Sequence, residues 1–295
     1  MPGQRTLEGV FVPLITPFDE GGRLDVACLE RLAAESLDAG ATGIVALGTT
    51  GEASALDEEE RRQVVAACAR VCGDRDAQLV VGAGTNDTRT TIERHERLAD
   101  VPGVVASLAV VPYYVRPSEA GIVAHFTAVA DRSPVPLVLY NVPYRTGRGL
   151  RVDSLLELAA HPDVVGVKQA VGGIDAETLR LLAEAPSSFA VLGGDDAYLL
   201  PMVLMGGAGA IAAAAHVRTQ DFVRMIDDGL AGRVVEARAR ATALLPLVLS
   251  LFAEPNPAVI KGVLHAQGRI PTPDVRMPLT PASARAVERA LALTG

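Results

Sequence analysis

The stretch Val164-Val165-Gly166-Val167-Lys168 is a short, continuous apolar run that ends in a lysine. Continuous rather than alternating apolar residues are typical of a strand that is buried on both faces, in a parallel sheet covered by helices. Helical patterns separate this run from seven others, at 10–15, 43–47, 79–81, 104–111, 137–139, 189–192 and 208–214. Eight strand-and-helix units in about 220 residues predict an α/β fold, the (β/α)8 TIM barrel.

Helical patterns continue beyond the eighth unit. We expect residues 1–232 to form the catalytic barrel and residues 233–295 to form a C-terminal helical extension packed on it. The stretch Glu254-Pro255-Asn256-Pro257 interrupts this extension, because proline cannot continue a helix. No low-complexity linker precedes the extension, so a second independent domain is not expected.

The composition argues against several kinds of function. The chain of 295 residues carries a formal net charge of −8 and no basic stripe, which argues against nucleic-acid binding. No uninterrupted apolar stretch reaches the ~20 residues of a membrane-spanning helix, and the polar start shows no signal-peptide pattern, so a cytoplasmic protein is expected. The three cysteines and five histidines match no metal-ligand spacing, so neither a metal nor another cofactor is expected.

The carboxyl ends of the predicted strands hold the candidate functional residues. In a TIM barrel the active site forms at these ends and in the loops that follow them. Only 4% of the chain is aromatic, yet three tyrosines lie at two of these ends. The candidates are Thr49, Thr50, Tyr114, Tyr140, Lys168 and Gly194.

Lys168 is the most informative of these candidates. A lysine backed by an apolar wall is poorly solvated, which disfavours the ammonium form and frees the amine to attack a carbonyl. Loss of water then gives an imine, the Schiff base of covalent catalysis. The alternative interpretation is a strand-end lysine whose amine simply reaches solvent.

Imine formation on a 2-keto acid needs proton transfers and a group that holds the carboxylate. Tyr140, Thr49 and Tyr114 can form a chain of hydroxyl groups that relays the proton. The backbone N–H groups of Gly48-Thr49-Thr50-Gly51, with a threonine hydroxyl, can bind the carboxylate. The alternative for this stretch is an ordinary tight turn between strand and helix.

Six motifs occur in one order along the chain: Gly48-Thr49-Thr50-Gly51-Glu52, Pro112-Tyr113-Tyr114, Tyr140-Asn141-Val142-Pro143-Tyr144-Arg145-Thr146-Gly147, Val165-Gly166-Val167-Lys168, Gly194-Asp195-Asp196 and Glu254-Pro255-Asn256-Pro257. Together they closely resemble the dihydrodipicolinate synthase family, one of the pyruvate-dependent class I aldolases, which include N-acetylneuraminate lyase. The resemblance covers essentially the whole chain. It implies a TIM-barrel lyase that condenses pyruvate with L-aspartate 4-semialdehyde to 4-hydroxy-tetrahydrodipicolinate, in lysine and diaminopimelate biosynthesis.

The resemblance also implies a role for each catalytic candidate. Lys168 would form the Schiff base with pyruvate, and Tyr140 would donate and accept the proton at the imine. Thr49 would link Tyr140 to Tyr114, which would reach into the site of a neighbouring subunit. Such sharing fits the homotetramer, a dimer of dimers, that is typical of the family.

The same resemblance assigns the residues that bind the substrates. Thr50 and the adjacent loop backbone would hold the pyruvate carboxylate. Arg145 would bind the carboxylate of the semialdehyde, for which its planar guanidinium is well suited. Gly194 and Ile211 would line the pocket.

The sequence departs from the family pattern at two positions beside the site. Gln169 follows the lysine where the family usually has glutamate, and Tyr144 precedes Arg145 where a small residue is usual. These differences keep a paralogous function open, an aldolase or dehydratase acting on a 2-keto-3-deoxy sugar acid or a related hydroxy-keto acid. A non-catalytic pyruvate sensor is a third possibility, which the intact lysine and proton relay argue against.

Overall fold

The computed structural model describes residues 7–294. Eight parallel strands pair in sequence order and close into a barrel, so the predicted (β/α)8 architecture is confirmed. The strands are β1 (Gly9–Pro13), β2 (Gly43–Ala46), β3 (Gln78–Gly82), β4 (Val104–Val110), β5 (Leu137–Asn141), β6 (Val164–Gln169), β7 (Ala190–Gly193) and β8 (Gly209–Ile211).

The strand boundaries differ most from the prediction at the eighth strand. The apolar run 208–214 predicts seven residues, whereas β8 ends at Ile211. Ala212 still donates a backbone hydrogen bond of 3.0 Å to Phe11 of β1, whereas Ala213 and Ala214 lie beyond the strand pairing and stay buried as the chain enters the following helix. A run of apolar residues indicates that the residues are buried, but it does not show where strand pairing ends, and here the buried residues extend beyond the strand.

Helices surround the barrel and follow its strands. The α-helices of the described residues are α1 (Val26–Asp38), α2 (Glu58–Gly73), α3 (Thr88–Glu96), α4 (Glu119–Ala130), α5 (Pro143–Thr146), α6 (Val152–Ala159), α7 (Ala176–Glu184), α8 (Leu199–Leu204), α9 (Ala215–Leu230), α10 (Val234–Leu251), α11 (Ala258–Ala266) and α12 (Ala284–Leu291). The predicted cap Asp25 accepts a hydrogen bond from the backbone N–H of Cys28 at the start of α1. Asp57 and Glu60 form a capping box at the start of α2.

Side chains alternate between the inside and the outside of the barrel along each strand. The interior is filled mainly by Phe11, Val45, Val80, Ala106, Leu108, Val138, Tyr140, Leu192 and Ile211. Leu139 and Val167, on the opposite face of their strands, pack with residues of α4 and α6. The alternation therefore brings Tyr140 and Lys168 to the inner face at the carboxyl ends of β5 and β6.

The last three helices cover one side of the barrel. Helix α10 packs against α9, and α12 packs against both α10 and α11. Their apolar residues Leu247, Leu251, Val259 and Ile260 belong to the same hydrophobic cluster as the outer residues of β1 to β3. The division at residue 232 stays a prediction, because barrel and extension share this cluster. No helix within residues 7–294 has the length and apolar character needed to cross a membrane.

Candidate active site

Lys168 and Tyr140 lie side by side at the mouth of the barrel. They are register partners in the β5–β6 ladder, and each is only 7% exposed. The Nζ of Lys168 is 4.5 Å from the centroid of the Tyr140 ring. Within residues 7–294 the amine forms no hydrogen bond and no salt bridge, so it is not tied to a structural partner.

Gly194 and Ile211 complete the wall around the lysine. A Cβ at Gly194 would come within 2.7 Å of the Lys168 Cε and 2.9 Å of its Cγ, so only glycine leaves room for this side chain. Ile211, at the end of β8, is buried in the barrel interior. Both predicted pocket residues therefore lie on the same inner surface as Tyr140.

Asp196 is a buried acid near the lysine that the sequence analysis quoted but did not assign. Its Oδ1 accepts a hydrogen bond of 2.7 Å from the backbone N–H of Ala214. Burial raises the pKa of Asp196 to about 6, although the Ala214 hydrogen bond and the positive charge of Lys168 act in the opposite direction. The signal in the sequence is an acidic residue in the turn that follows β7.

Thr50 is buried in a 3₁₀ turn, Thr49–Gly51, that follows β2. Its Oγ1 accepts a hydrogen bond of 2.9 Å from the Nδ2 of Asn256, and the Thr16 hydroxyl donates to the carbonyl of Gly51 at 2.7 Å. The candidate carboxylate-binding turn is thus held from two sides. Sequence reasoning read Asn256 only as part of a helix-breaking motif and missed this contact.

The predicted relay of hydroxyl groups is not connected by hydrogen bonds within residues 7–294 of a single chain. Thr49 is exposed, and no hydrogen bond joins it to Tyr140 or Tyr114 within residues 7–294. Tyr114 is 86% exposed and has a left-handed backbone conformation with φ of 71°, which is uncommon for a residue with a side chain. Its neighbours Tyr113 and Val115 are exposed too, so this loop presents apolar side chains that its own barrel does not cover.

Arg145 and Tyr144 lie on the short helix α5, just beyond β5. The guanidinium carbon of Arg145 is 5.7 Å from the centroid of the Tyr144 ring. The Tyr144 hydroxyl donates a hydrogen bond of 3.0 Å to the Oδ1 of Asp195, in the loop after β7. Arg145 itself is exposed at the barrel mouth.

Gln169, the other departure from the family pattern, faces away from the pocket. Its Oε1 accepts a hydrogen bond of 3.0 Å from Asn141, and its Nε2 donates to the Thr178 hydroxyl of α7 at 3.1 Å. The side chain therefore ties β6 to β5 and α7. This substitution does not alter the surface on which Lys168 lies.

The described residues contain no cluster of three or more His, Cys, Asp or Glu side chains that could hold a metal ion.

A (β/α)8 barrel with a buried, unpaired lysine at the end of its sixth strand has the arrangement of a Schiff-base-forming barrel enzyme. The chain belongs to the dihydrodipicolinate synthetase family, whose sequence profile matches residues 6–293.

Named relatives and solved structures resemble the chain over nearly its full length. The 4-hydroxy-tetrahydrodipicolinate synthase of Moorella thermoacetica is 39% identical over 280 residues, which cover 95% of this chain and 94% of the relative. The synthase of an Exiguobacterium species is 37% identical, and the matched residues cover 96% of this chain and 95% of the relative. The structure of the Thermotoga maritima dihydrodipicolinate synthase superposes with a TM-score of 0.94 at 32% identity and covers 98% of both chains.

A further solved structure contains bound pyruvate. The chloride-inhibited dihydrodipicolinate synthase of Acinetobacter baumannii, complexed with pyruvate, has a TM-score of 0.93 at 34% identity and covers 98% of this chain and 99% of its own.

Proposed function

We propose that this chain is a 4-hydroxy-tetrahydrodipicolinate synthase, a lyase that condenses pyruvate with L-aspartate 4-semialdehyde. The observation that carries the proposal is the free, buried amine of Lys168 against the Tyr140 ring, in a pocket where Gly194 makes room for the lysine side chain. The synthase names of the relatives and the pyruvate complex of the Acinetobacter baumannii enzyme support the choice of substrates.

The chemistry follows from the amine. Lys168 attacks the C2 carbonyl of pyruvate, and loss of water leaves an imine. Removal of a proton from C3 gives an enamine, whose C3 forms a bond to the aldehyde carbon while the aldehyde oxygen takes up a proton. The amino group of the semialdehyde then attacks C2 and displaces the lysine amine, which frees the enzyme and closes the ring.

The surrounding residues supply the protons and hold the substrates in this proposal. Tyr140 acts as the general acid and base at the imine, since its ring lies directly against the amine. The Thr50 turn holds the pyruvate carboxylate, and Arg145 holds the carboxylate of the semialdehyde. No metal or organic cofactor takes part.

A second copy of the chain completes the relay in this proposal. Tyr114 is exposed in its own subunit, which supports its reaching the Thr49 hydroxyl of a neighbour. The enzyme is then a homotetramer built as a dimer of dimers. We expect it to act on small molecules in the cytoplasm, as a biosynthetic enzyme.

Mixing two inactive variants tests this shared site. Lys168→Ala lacks the nucleophile but supplies a normal Tyr114, whereas Tyr114→Phe supplies the nucleophile but no relay hydroxyl. We expect each to be impaired alone and a refolded equal mixture to regain up to about a quarter of wild-type activity, because half of the dimers are mixed and each has one complete site. Activity of the mixture that equals the mean of the two separate variants would show that Tyr114 serves its own subunit.

A coupled assay tests the proposed function itself. Purified protein receives pyruvate and L-aspartate 4-semialdehyde, and the next reductase of the pathway reports product through consumption of NADPH. We expect robust turnover. No turnover, together with borohydride trapping of pyruvate on Lys168, would overturn the synthase and indicate an aldolase for 2-keto-3-deoxy sugar acids.

A further inference from the structure

Tyr144 joins three successive loops at the barrel mouth. It lies on α5, after β5, and its hydroxyl donates to the Oδ1 of Asp195, in the loop after β7. The Oδ2 of Asp195 accepts a hydrogen bond of 2.7 Å from the backbone N–H of Gly172, in the loop after β6. Both oxygens of one carboxylate therefore fix the tyrosine hydroxyl and the intervening loop. We call this arrangement the Tyr144–Asp195 bridge.

The bridge also determines what Arg145 contacts. The Tyr144 ring, held at its hydroxyl end, lies 5.7 Å from the Arg145 guanidinium carbon, within the range of a cation–π contact. In the part of the chain that the structure describes, the guanidinium group of Arg145 makes no hydrogen bond or salt bridge of its own. Its donors are free for an incoming carboxylate, and the aromatic face is the contact that restrains it.

We infer that Tyr144 is a positioning residue for the second substrate: anchored on Asp195, it orients Arg145 toward the carboxylate of L-aspartate 4-semialdehyde. This rests on the proposed synthase function and adds a residue that the family pattern does not contain at this position. Partial desolvation and the adjacent Asp195 carboxylate raise the pKa of Tyr144, so its hydroxyl stays a hydrogen-bond donor throughout the neutral range.

The bridge acts through preorganisation. An arginine on an exposed helix loses several rotatable bonds on binding, and a contact that already restricts it lowers this cost. Pyruvate binds Lys168 and the Thr50 turn in the proposed site, so the bridge does not contribute to that step. The expected signature is a change in KM for the semialdehyde alone.

Tyr144→Phe tests the inference because it removes the hydroxyl and keeps the ring. We expect the KM for L-aspartate 4-semialdehyde to rise about tenfold, as for a lost hydrogen bond to a charged group, with the KM for pyruvate and the borohydride trapping on Lys168 unchanged. Tyr144→Ala, which also removes the ring, should raise it further. The double variant Tyr144→Phe/Asp195→Ala should be no worse than Asp195→Ala alone, because Asp195→Ala already removes the acceptor of the Tyr144 hydroxyl.

Tyr198→Phe is the matched control. It removes a hydroxyl from another surface tyrosine, in the 3₁₀ turn that follows Asp195, and should leave both KM values unchanged. Equal effects of Tyr144→Phe on both substrates, no effect, or a lower KM for the semialdehyde would each overturn the inference while wild-type turnover still upheld the synthase. Absence of wild-type turnover with the semialdehyde would instead overturn the proposed function, and this inference with it.

Discussion

The chain contains only two lysines, Lys168 and Lys261, and both are buried. Lys168 lies at the barrel mouth against the Tyr140 ring, and its amine has no hydrogen-bond partner within residues 7–294. Lys261 lies on α11 and is fully buried, and its Nζ donates hydrogen bonds of 2.6 Å to both the Oε1 of Glu52 and the carbonyl of Asp274. The same side chain is therefore used in two opposite ways.

The difference teaches that burial alone does not make a lysine nucleophilic. Burial lowers the pKa of Lys261, but the Glu52 carboxylate opposes this effect and uses the amine as a donor. The amine also lies 4.1 Å from the Phe18 ring centroid, which leaves no open side for a substrate. Lys168 has the aromatic contact without a hydrogen-bonded carboxylate within residues 7–294, and its amine is free to react.

Lys261 supports the site from a distance. Glu52 directly follows the Thr49–Gly51 turn and has a left-handed conformation, with φ of 53°. Its Oε2 accepts a hydrogen bond of 2.7 Å from the backbone N–H of Arg276. The structural lysine therefore fixes the loop whose threonine would bind the substrate carboxylate, and it does so from the C-terminal helices.

Replacement of the free lysine should have the largest effect. We expect Lys168→Ala to reduce turnover to background, because the only other lysine of the sequence, Lys261, lies buried on α11. Borohydride reduction of the wild type with pyruvate, followed by peptide mapping, should place the adduct on Lys168 and leave Lys261 unmodified. Label on Lys261, or near-native turnover of Lys168→Ala, would contradict the distinction between the two residues.

Replacement of the paired lysine should affect stability. Lys261→Met leaves the Glu52 carboxylate buried without its partner, so the free energy of unfolding should fall by about 3–5 kcal/mol, measured by urea denaturation. Protein that remains folded should still trap pyruvate on Lys168. Arg62→Met, which breaks an exposed ion pair with Glu59, is the control and should change stability little. A similar, small effect of both changes would show that the buried pair is dispensable.

Replacement of Tyr140, which packs against Lys168, should have the next largest effect. Tyr140→Phe keeps the ring that packs on Lys168 and removes the hydroxyl, so kcat should fall by about 10²-fold or more while the thermal midpoint stays unchanged. Pyruvate should still be trapped, although more slowly. Unaltered kcat would mean that another group transfers the proton at the imine.

The strand-end rule is the reason that the sequence predicted Lys168 and Tyr140. Continuous apolar runs located the strands, and barrel geometry brings their carboxyl ends together, so both residues could be placed without coordinates. The contacts between Asn256 and Thr50 and between Lys261 and Glu52 join residues more than 200 positions apart. No local pattern encodes such a pairing. The Tyr144–Asp195 bridge likewise joins two separate loops, and the position of Gln169 next to the lysine does not reveal that strand alternation turns its side chain outward.

The smallest expected effect concerns Asp196, the buried acid near the free lysine. Its folded-state pKa of about 6 lies above the ordinary value of 3.8, so Asp196 takes up a proton more readily in the folded protein than in the unfolded chain. The stability that this group contributes is therefore present at low pH and is lost as the pH rises through 6. Asp196→Asn has no proton to lose and retains an oxygen that can accept from Ala214.

The free energy of unfolding of the wild type, minus that of Asp196→Asn, should consequently be about 1 kcal/mol smaller at pH 7 than at pH 5. Urea denaturation of both proteins at the two pH values measures this difference, and the buried histidines cancel because both proteins share them. Asp38→Asn is the control, since the Arg75 hydrogen bond lowers the pKa of Asp38 and its titration lies below this range. A pH-independent difference for Asp196→Asn would mean that Asp196 does not change its protonation state in the folded protein between pH 5 and pH 7. Lys168 would then lie near a group of constant charge over this range, and its contrast with Lys261 would rest on the absence of a hydrogen bond to its amine.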